Sequence, residues 1–593
     1  MLSPSLTPRS ALALVAASVA LLAGCSERTE GTATASPEKT DRRAAPAAAG
    51  AAAGSGAMAG AGAAAGPGAM AGAGAAAGSG AMAGAGAAAG PGAMAGAGAA
   101  AGPGAMGGSA ANAPAAAVGA QGEGEGDAQG DGEPAGPRIH SRARFAWINP
   151  GPGPNRGWLG YLGLGGSVAL RGGSAEAART YGPGCEGWYA VEPQGYVCAG
   201  AAATLDAADP VVVALRRDAP RVTSPWPYEY AESIGAPRYA GVPSEGQQRA
   251  VEWDLEKHLA DVARAREAKD VEAIRAINEA LVGVDLGPSG EPMPELFAFG
   301  GLVREARKRI VEGSTIAFTR AFDAGGRSWV LTSDQAIMPR DRMKPYPRST
   351  FEGVWLRDGR ALPLAFFRKS PRPKYRRGAG GAFEATGEAF ARLAWVGLTG
   401  AAEGEGEQRF LETREPGIWV LEADATVLEA AKQPPLTREA EPGAPARKWL
   451  DISVLGGWLV AYEERTPVFA TLISPGRGGI PTKGVPAIET AATPTGTFRV
   501  DGKFATATLV SSTNELIVHS EVQFVQNFSG PHALHGAYWH DAWGEPKSGG
   551  CVNLSPIDAK QVFEWTDPPL PAGWHGMRAV KELGGSTVVR IHR

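Results

Sequence analysis

A cysteine near the C-terminal end of the chain lies among residues that could make it a nucleophile. Cys551 follows Gly549 and Gly550, and His535 and His540 lie sixteen and eleven residues before it. A thiol attacks a carbonyl group as its thiolate, and a nearby imidazole is the usual group that removes the proton. Glycines beside the nucleophile let backbone N–H groups face a developing oxyanion. The pattern predicts thiol catalysis, and a buried structural cysteine is the alternative.

The surroundings of this cysteine resemble a known catalytic domain. The segments HGAYWH at 535–540 and SGGCVNLSP at 548–556 are similar to the signature of the L,D-transpeptidase catalytic domain, found in the YkuD-type enzymes of bacterial cell walls. Two further segments, at 447–474 and TPTGTF at 493–498, extend the resemblance over about a quarter of the chain. The chain departs from the family at Gly549, which stands where the family has a second histidine.

The resemblance implies a set of site residues. Cys551 would be the nucleophile, His535 would accept its proton, and the carbonyl group of Gly536 would orient the imidazole. The backbone N–H groups of Gly550 and Cys551 are the expected oxyanion donors. His532 and His540 are the rival bases, since distance along the chain does not decide which imidazole reaches the sulfur. The expected oxyanion and substrate-binding residues are Gly549, Gly550, Ser548, Asn553, Trp539 and His540.

The implied reaction is acyl transfer on peptidoglycan tetrapeptide stems. The thiol attacks the carbonyl before the terminal D-alanine, D-alanine leaves, and an amine of a neighbouring stem or wall partner resolves the thioester. Two alternatives stay open: a noncatalytic peptidoglycan-binding lipoprotein, and an L,D-endopeptidase or hydrolase that uses water as acceptor. No cofactor and no metal are expected, because the histidines lack metal-ligand spacing with a second Cys or His pair.

The N-terminus resembles the export signal of a bacterial lipoprotein. An apolar run ends in LLAGC, so residues 1–24 are predicted to be a signal peptide, too short for a stable membrane span. The run Leu22 to Cys25 resembles a lipobox, which implies lipidation of Cys25; an ordinary signal peptide with an incidental cysteine is the alternative. By the same resemblance, Ser26 favours the outer membrane. A periplasmic lipoprotein of the cell envelope is therefore expected.

A glycine- and alanine-rich segment follows the predicted anchor. The unit GAMAGAGAAAGP, or its serine variant, repeats every twelve residues between about 44 and 107, and an acidic stretch continues it. Such a sequence has little apolar surface to bury, so residues 25–137 are predicted to be a disordered tether. The net charge of −4 gives no basic excess for nucleic acid. The expected partners are stem peptides and, through the lipid, a membrane; the chain itself is expected to be a monomer.

The rest of the chain is predicted to be mainly β and multidomain. Residues 138–206 resemble bacterial SH3-like modules, small β-barrels, in which Trp188, Tyr189 and Tyr196 are either wall contacts or core. Cys185 and Cys198 are the favoured disulfide pair of an exported chain, among three possible pairings. The remaining predicted segments are a helical and β-rich accessory region at 207–436 with a helix at 246–282, a linker at 437–446, and a β-sandwich-like catalytic domain at 447–593.

Overall fold

The computed structural model describes residues 136–153, 157–267, 309–436, 445–510, 517–579 and 583–593. All of them belong to one compact unit, Ala75–Arg593. The predicted signal peptide, Cys25, nearly all of the tether, the second half of the predicted helix at 246–282 and most of the linker lie outside the described residues. Within the described ranges, no helix has the length and apolar character that a membrane span requires.

The described residues are mainly β, as the sequence predicted. The N-terminal strands are β1 (Arg138–Ser141), β2 (Ala146–Asn149), β3 (Gly160–Leu162), β4 (Ser167–Ala169), β5 (Arg179–Gly182), β6 (Cys185–Ala190), β7 (Tyr196–Ala199) and β8 (Ala203–Thr204), with the short helix α1 (Ala175–Ala178) before β5. A disulfide joins Cys185 to Cys198, with a Cα–Cα distance of 5.9 Å. Trp188 and Tyr189 are buried in this region, so they pack as core, whereas Tyr196 is half-buried.

The accessory region combines helices and strands. Its helices are α2 (Pro210–Arg217), α3 (Glu245–Val251) and α4 (Leu255–Glu267). Its strands are β9 (Glu229–Ser233), β10 (Thr315–Ala324), β11 (Arg327–Thr332), β12 (Ile337–Pro339), β13 (Met343–Pro345), β14 (Val354–Trp355), β15 (Leu364–Phe366), β16 (Arg372–Arg377), β17 (Phe383–Phe390), β18 (Trp395–Glu403), β19 (Phe410–Thr413), β20 (Trp419–Leu421) and β21 (Thr426–Leu428). Short 3₁₀ helices lie at Arg340–Arg342, Gly406–Gln408 and Glu422–Asp424.

The helix predicted over 246–282 is interrupted at Glu252, between α3 and α4. The Glu252 carboxylate is buried and accepts hydrogen bonds from Arg327 at 2.8 and 2.9 Å and from Arg342 at 3.1 Å. Its backbone has φ −108° and ψ 84°, outside the helical range. Because both arginines come from distant strands and turns, the local periodicity of the sequence could not reveal this break.

The C-terminal region is a β-sandwich with one helix. Its elements are β22 (Lys448–Ser453), β23 (Trp458–Glu463), β24 (Thr466–Leu472), a 3₁₀ helix at Ala487–Thr490, β25 (Gly496–Arg499), β26 (Gly502–Val510), β27 (Val518–Ser529), β28 (His532–Gly536), β29 (Val552–Leu554), α5 (Pro556–Trp565), β30 (Gly576–Arg578) and β31 (Val588–His592). The core between its sheets includes Leu450 and Leu459 from one sheet, Leu534 and Val552 from the other, and Val562 of α5.

The strands form five open sheets. Their orders are β4-β1-β8, β12-β11-β10-β9-β13, β14-β24-β23-β22-β31-β25, β17-β16-β20-β19-β18-β15-β21 and β29-β28-β27-β26-β30-β3-β2-β7-β6-β5. The last sheet runs from the C-terminal region into the N-terminal strands, because β30 pairs with β26 on one side and with β3 on the other. The accessory strand β14 likewise pairs with β24. The predicted domain division stays a prediction, and shared sheets cross the boundaries near 206 and 436.

Candidate active site

Two short parallel strands, β28 and β29, bring the predicted nucleophile and base onto one face of the ten-stranded sheet. Their register pairs His535 with Asn553 and Leu534 with Val552. Cys551 comes directly before β29, so it lies opposite Ala533, two residues from His535 along β28. Side chains two positions apart on a strand share a face. Cys551, His535 and Asn553 therefore lie on the same side of the sheet.

The imidazole of His535 is held in one orientation by its own strand. Its Nδ1 lies 2.9 Å from the carbonyl oxygen of Gly536, so Nδ1 carries the proton and donates it to this hydrogen bond. The lone pair of Nε2 is then the basic site of the ring. Burial lowers the pKa of His535 to about 4, although the bond to Gly536 acts in the opposite direction. His535 is thus a neutral imidazole at pH 7.

The thiol of Cys551 is free and half-buried. Burial raises its pKa to about 11, and a backbone hydrogen bond from Ala533 offsets only part of that rise. The sulfur lies 3.8 Å from the carbonyl oxygen of Pro531. Cys551 is therefore a thiol at pH 7, and it would have to lose its proton in order to act as a nucleophile.

Ser548 braces residues 548–551, which carry the predicted nucleophile Cys551 and which we call the nucleophile loop. Its hydroxyl accepts from the N–H group of Gly550 at 3.1 Å and donates to the carbonyl oxygen of Cys551 at 2.5 Å. Gly550 has φ +131°, and a Cβ added there would lie 2.9 Å from the carbonyl oxygen of Ala492 and 3.0 Å from the ring of His532. The loop conformation therefore requires glycine at 550. The N–H group of Gly550, one expected oxyanion donor, is engaged by Ser548.

The two rival bases are placed differently from His535. His532 is three residues from His535 on β28, so its ring lies on the opposite face of the sheet, against Gly550. His540 uses both ring nitrogens: Nδ1 accepts from the N–H group of Ala542 at 3.3 Å, and Nε2 lies 3.2 Å from the side-chain amide of Asn553. The ring of His532 thus lies away from the face that carries Cys551, and Nε2 of His540 is already occupied by the side chain of Asn553.

Trp539 joins a further imidazole, that of His519, to the site. Its ring stacks on that of His519 with centroids 4.4 Å apart, and it meets the ring of His535 at 5.9 Å. Burial, and then the neighbouring His535, lower the pKa of His519 to about 4, and the Nδ1 of His519 is buried without a hydrogen-bond partner. The spacing of His519 along the sequence does not reveal its contact with Trp539, because the contact depends on how β27, the strand that carries His519, pairs with its neighbours.

A family comparison agrees with this geometry. The family model of YkuD, the L,D-transpeptidase catalytic domain, matches residues 448–589. The match contains both His535 and Cys551, and we call residues 448–589 the YkuD region. Within the described residues, no group of three or more His, Cys, Asp or Glu side chains could hold a metal ion.

Solved structures similar to the chain include L,D-transpeptidases. One is from Xylanimonas cellulosilytica, with 22% identity, 26% of this chain and 65% of that chain covered, and a TM-score of 0.18. A second, from Stackebrandtia nassauensis, has 22% identity, coverage of 26% and 58%, and a TM-score of 0.17. A third is the catalytic domain of the E. faecium enzyme acylated by ertapenem, with 18% identity, coverage of 25% and 100%, and a TM-score of 0.18. The chain thus spans less than two thirds of the first two proteins. Likenesses at these TM-scores are too slight to carry an argument. No curated protein sequence matches the chain.

Within the YkuD region, two neighbouring segments support the nucleophile loop. The backbone of Ser474 exchanges hydrogen bonds with that of Asn553 at 2.8 and 2.9 Å. The N–H group of Gly476 donates to the hydroxyl of Thr493 at 2.8 Å, which ties in the TPTGTF segment. The N–H groups of Lys547 and Ser548 both donate to the carbonyl oxygen of Pro475, at 2.9 and 3.1 Å. The upstream segments of the resemblance therefore lie against the loop.

The accessory region holds the loop at 537–547, which connects the base to the nucleophile. The Asp541 carboxylate accepts from Ser349 at 2.6 Å, from Arg392 at 2.9 Å and from Trp543 at 2.7 Å. Tyr230, from β9, stacks on Tyr538 with ring centroids 3.7 Å apart. The geometry of the YkuD region thus depends on contacts from outside it.

Proposed function

We propose that this protein is a peptidoglycan L,D-transpeptidase that transfers an acyl group through Cys551. The observation that carries the proposal is the shared sheet face of Cys551 and His535, with Nδ1 of His535 tied to the carbonyl of Gly536 at 2.9 Å. This leaves Nε2 as the only basic nitrogen of that ring. The substrate class, tetrapeptide stems of the bacterial cell wall, is what the YkuD match implies.

The reaction begins with Cys551 as a neutral thiol and His535 as a neutral imidazole. As the sulfur of Cys551 attacks the carbonyl between the diamino acid and the terminal D-alanine, its proton passes to Nε2 of His535. The tetrahedral intermediate collapses when His535 returns that proton to the departing amine of D-alanine, which leaves a thioester on Cys551. The amine of a neighbouring stem then attacks the thioester, gives its proton to His535, and frees the thiol.

Other residues of the site orient these groups. Ser548 fixes the backbone of Gly550 and Cys551. The N–H group of Gly550 would have to give up its hydrogen bond to the hydroxyl of Ser548 before it could donate to the oxyanion. The bond between His540 and Asn553 fixes the start of β29, next to the nucleophile. Trp539 covers the ring of His535. These are positioning roles, apart from the oxyanion contact.

The glycine at 549 replaces an imidazole without removing the other supports of the loop. Ser548, Gly550 and Asn553 all keep hydrogen bonds or close contacts that brace Cys551. We therefore infer that the enzyme turns over without the second histidine of the family pattern.

Incubation of the purified protein with disaccharide tetrapeptide tests the proposal. The expected products, by mass spectrometry, are a cross-linked dimer and free D-alanine, and Cys551→Ala should form neither. Tripeptide without dimer would instead indicate a hydrolase. A lack of all products, together with no adduct on Cys551 after exposure to ertapenem, would indicate a noncatalytic wall-binding protein. Ertapenem, a carbapenem, suits this test because the resemblance to the YkuD family implies that carbapenems acylate the nucleophile.

We further propose that the protein acts in the cell envelope, as a lipoprotein held by Cys25 on a long tether. The LLAGC segment and the twelve-residue repeats support this proposal. Metabolic labelling with a fatty acid should mark the wild-type chain and leave Cys25→Ser unlabelled.

A further inference from the structure

A row of residues crosses the ten-stranded sheet on the face that carries Cys551. His535 lies beside Val525, one residue beyond the pairing of Leu534 with Gln526 between β28 and β27. From β27 onward, across β26, β30, β3 and β2, the partners in register are Val525, Phe504, Gly576, Tyr161 and Trp147. The row therefore leads from the proposed general base to the N-terminal strands.

Aromatic rings fill this row beyond the base. The centroids of Phe504 and Tyr161 are 6.3 Å apart, and those of Tyr161 and Trp147 are 5.5 Å apart. Trp147 also meets Trp158 at 5.5 Å and Phe145 at 5.6 Å. We call these five side chains the aromatic strip. Its members Phe145, Trp158, Tyr161 and Phe504 belong to one hydrophobic cluster with Cys551.

The aromatic strip becomes more exposed with distance from the nucleophile. Phe504 and Tyr161 are buried, Trp158 is half-buried, and Trp147 is 44% exposed. The guanidinium group of the exposed Arg578 lies 4.4 Å from the ring centroid of Trp158. The exposed indole of Trp147, the half-buried indole of Trp158 and the charged Arg578 thus lie together at the end of the aromatic strip. By contrast, the sequence offered Trp188, Tyr189 and Tyr196 as either wall contacts or core, and of these Trp188 and Tyr189 are buried and Tyr196 is half-buried.

The distance from His535 to Trp147 indicates which part of the substrate could reach Trp147. Five strand spacings separate β28 from β2, a distance of about 24 Å. In a stem whose scissile bond lies at Cys551, three residues separate that bond from the sugar, and their fully extended reach is about 11 Å. A stem peptide in the site therefore ends well short of Trp147, and what continues toward Trp147 is the sugar chain that bears it.

We propose that Trp147 and Trp158 form a subsite for the glycan strand of the donor. The exposed faces of the two indoles stack on the apolar C–H faces of the sugar rings, and Arg578 offers hydrogen-bond donors at the edge of the subsite. This inference rests on the proposed function, because that function places the scissile bond at Cys551. The subsite would make a glycan-linked stem a better donor than a free peptide.

Direct binding tests the subsite without catalysis. The full chain with Cys551→Ala is titrated with glycan strands from which the stem peptides have been removed. Trp147→Ala in this background is expected to weaken binding about tenfold, the loss of one stacked ring, and Trp147→Phe to restore most of it. Trp253→Ala is the matched control, because Trp253 is 87% exposed and lies between α3 and α4 in the accessory region. Equal binding by Cys551→Ala with and without Trp147→Ala, or no binding by either, overturns the subsite.

Kinetics separates failure of the subsite from failure of the proposed function. In the active enzyme, Trp147→Ala should raise KM about tenfold for disaccharide tetrapeptide and leave kcat unchanged. KM for the free tetrapeptide should not change. An equal effect on both donors would place the ligand of Trp147 in the peptide and overturn the glycan subsite. If no donor turns over, the proposed function fails, and the titration with glycan strands still decides the subsite.

Discussion

The hydroxyl of Ser548 lies 2.5 Å from the carbonyl oxygen of Cys551, and it also accepts from the N–H group of Gly550 at 3.1 Å. One side chain thus fixes the backbone on both sides of the sulfur. The loop has glycine at 549, where the family pattern has an imidazole, so the hydroxyl of Ser548 supplies a side-chain brace next to that position.

Replacement of Ser548 by alanine should slow acylation while leaving the fold intact. A net hydrogen bond is worth about 1 kcal/mol, so the free energy of unfolding should fall by that order. The rate of ertapenem acylation should fall more than tenfold, since a misplaced nucleophile loses much of its reactivity. Stopped-flow measurement of the adduct gives the rate.

Ser453→Ala is the matched control for this prediction. The hydroxyl of Ser453 accepts from the N–H group of Gly456 at 3.0 Å and donates to the carbonyl oxygen of Arg593 at 2.9 Å. Like Ser548, Ser453 lies in the YkuD region and uses its hydroxyl to accept from one backbone N–H group and to donate to one carbonyl oxygen. Unlike Ser548, it is not part of the nucleophile loop. Equal loss of acylation rate in both variants would show that Ser548 acts on stability alone.

Gly550→Ala should inactivate the protein and destabilise it. The backbone at φ +131° strains any side chain, and the new Cβ would lie 2.9 Å from the carbonyl oxygen of Ala492. Strain of this kind costs about 1 to 3 kcal/mol. Gly584→Ala measures the free-energy cost of the positive φ without a steric contact. Gly584 has φ +112°, and a Cβ there meets nothing within 4 Å. Urea unfolding should show a larger loss for Gly550→Ala, and a smaller loss would contradict the contact with Ala492.

The alkylation of Cys551 should depend steeply on pH. Burial raises the pKa of this thiol to about 11, so the thiolate fraction rises about tenfold for each pH unit between 7 and 10. The rate of reaction with iodoacetamide, followed by mass spectrometry, should rise in parallel. A rate that is already constant from pH 7 upward would show a preformed thiolate–imidazolium pair and would contradict the neutral resting state.

The proposed catalytic residues could be named from the sequence because their signal is local. Cys551, Ser548 and Asn553 lie within six residues of one another, and His535 with Gly536 forms a second short segment. The hydrogen bond from Nδ1 of His535 to the carbonyl oxygen of Gly536 is also local, so naming the histidine also names its partner.

Contacts between distant strands left no comparable signal. The pairing of Gly576 with Tyr161 merges the N-terminal strands with the YkuD region, and neither residue's neighbours indicate it. The stacking of His519 on Trp539 arises the same way, from the pairing of strands β26, β27 and β28. Alternation along a strand shows which residues share a face, but it does not show which strand lies beside it. For that reason, Trp188 and Trp147 could not be assigned to core and surface in advance.

The stability of the protein should fall in mild acid, and His519 should account for part of the loss. Burial lowers the pKa of His519, His535 and His540 to about 4 each, below the usual value of 6.5. Between pH 6.5 and 4 the unfolded chain therefore binds more protons than the folded chain, so stability drops as the pH falls through this window. Each histidine contributes up to about 1.4 kcal/mol per pH unit there. His519→Phe keeps the stack on Trp539 and removes one titrating ring. In urea unfolding at pH 7 and pH 5, this variant should lose less stability than the wild type, and an equal loss would show that His519 is charged in the folded protein.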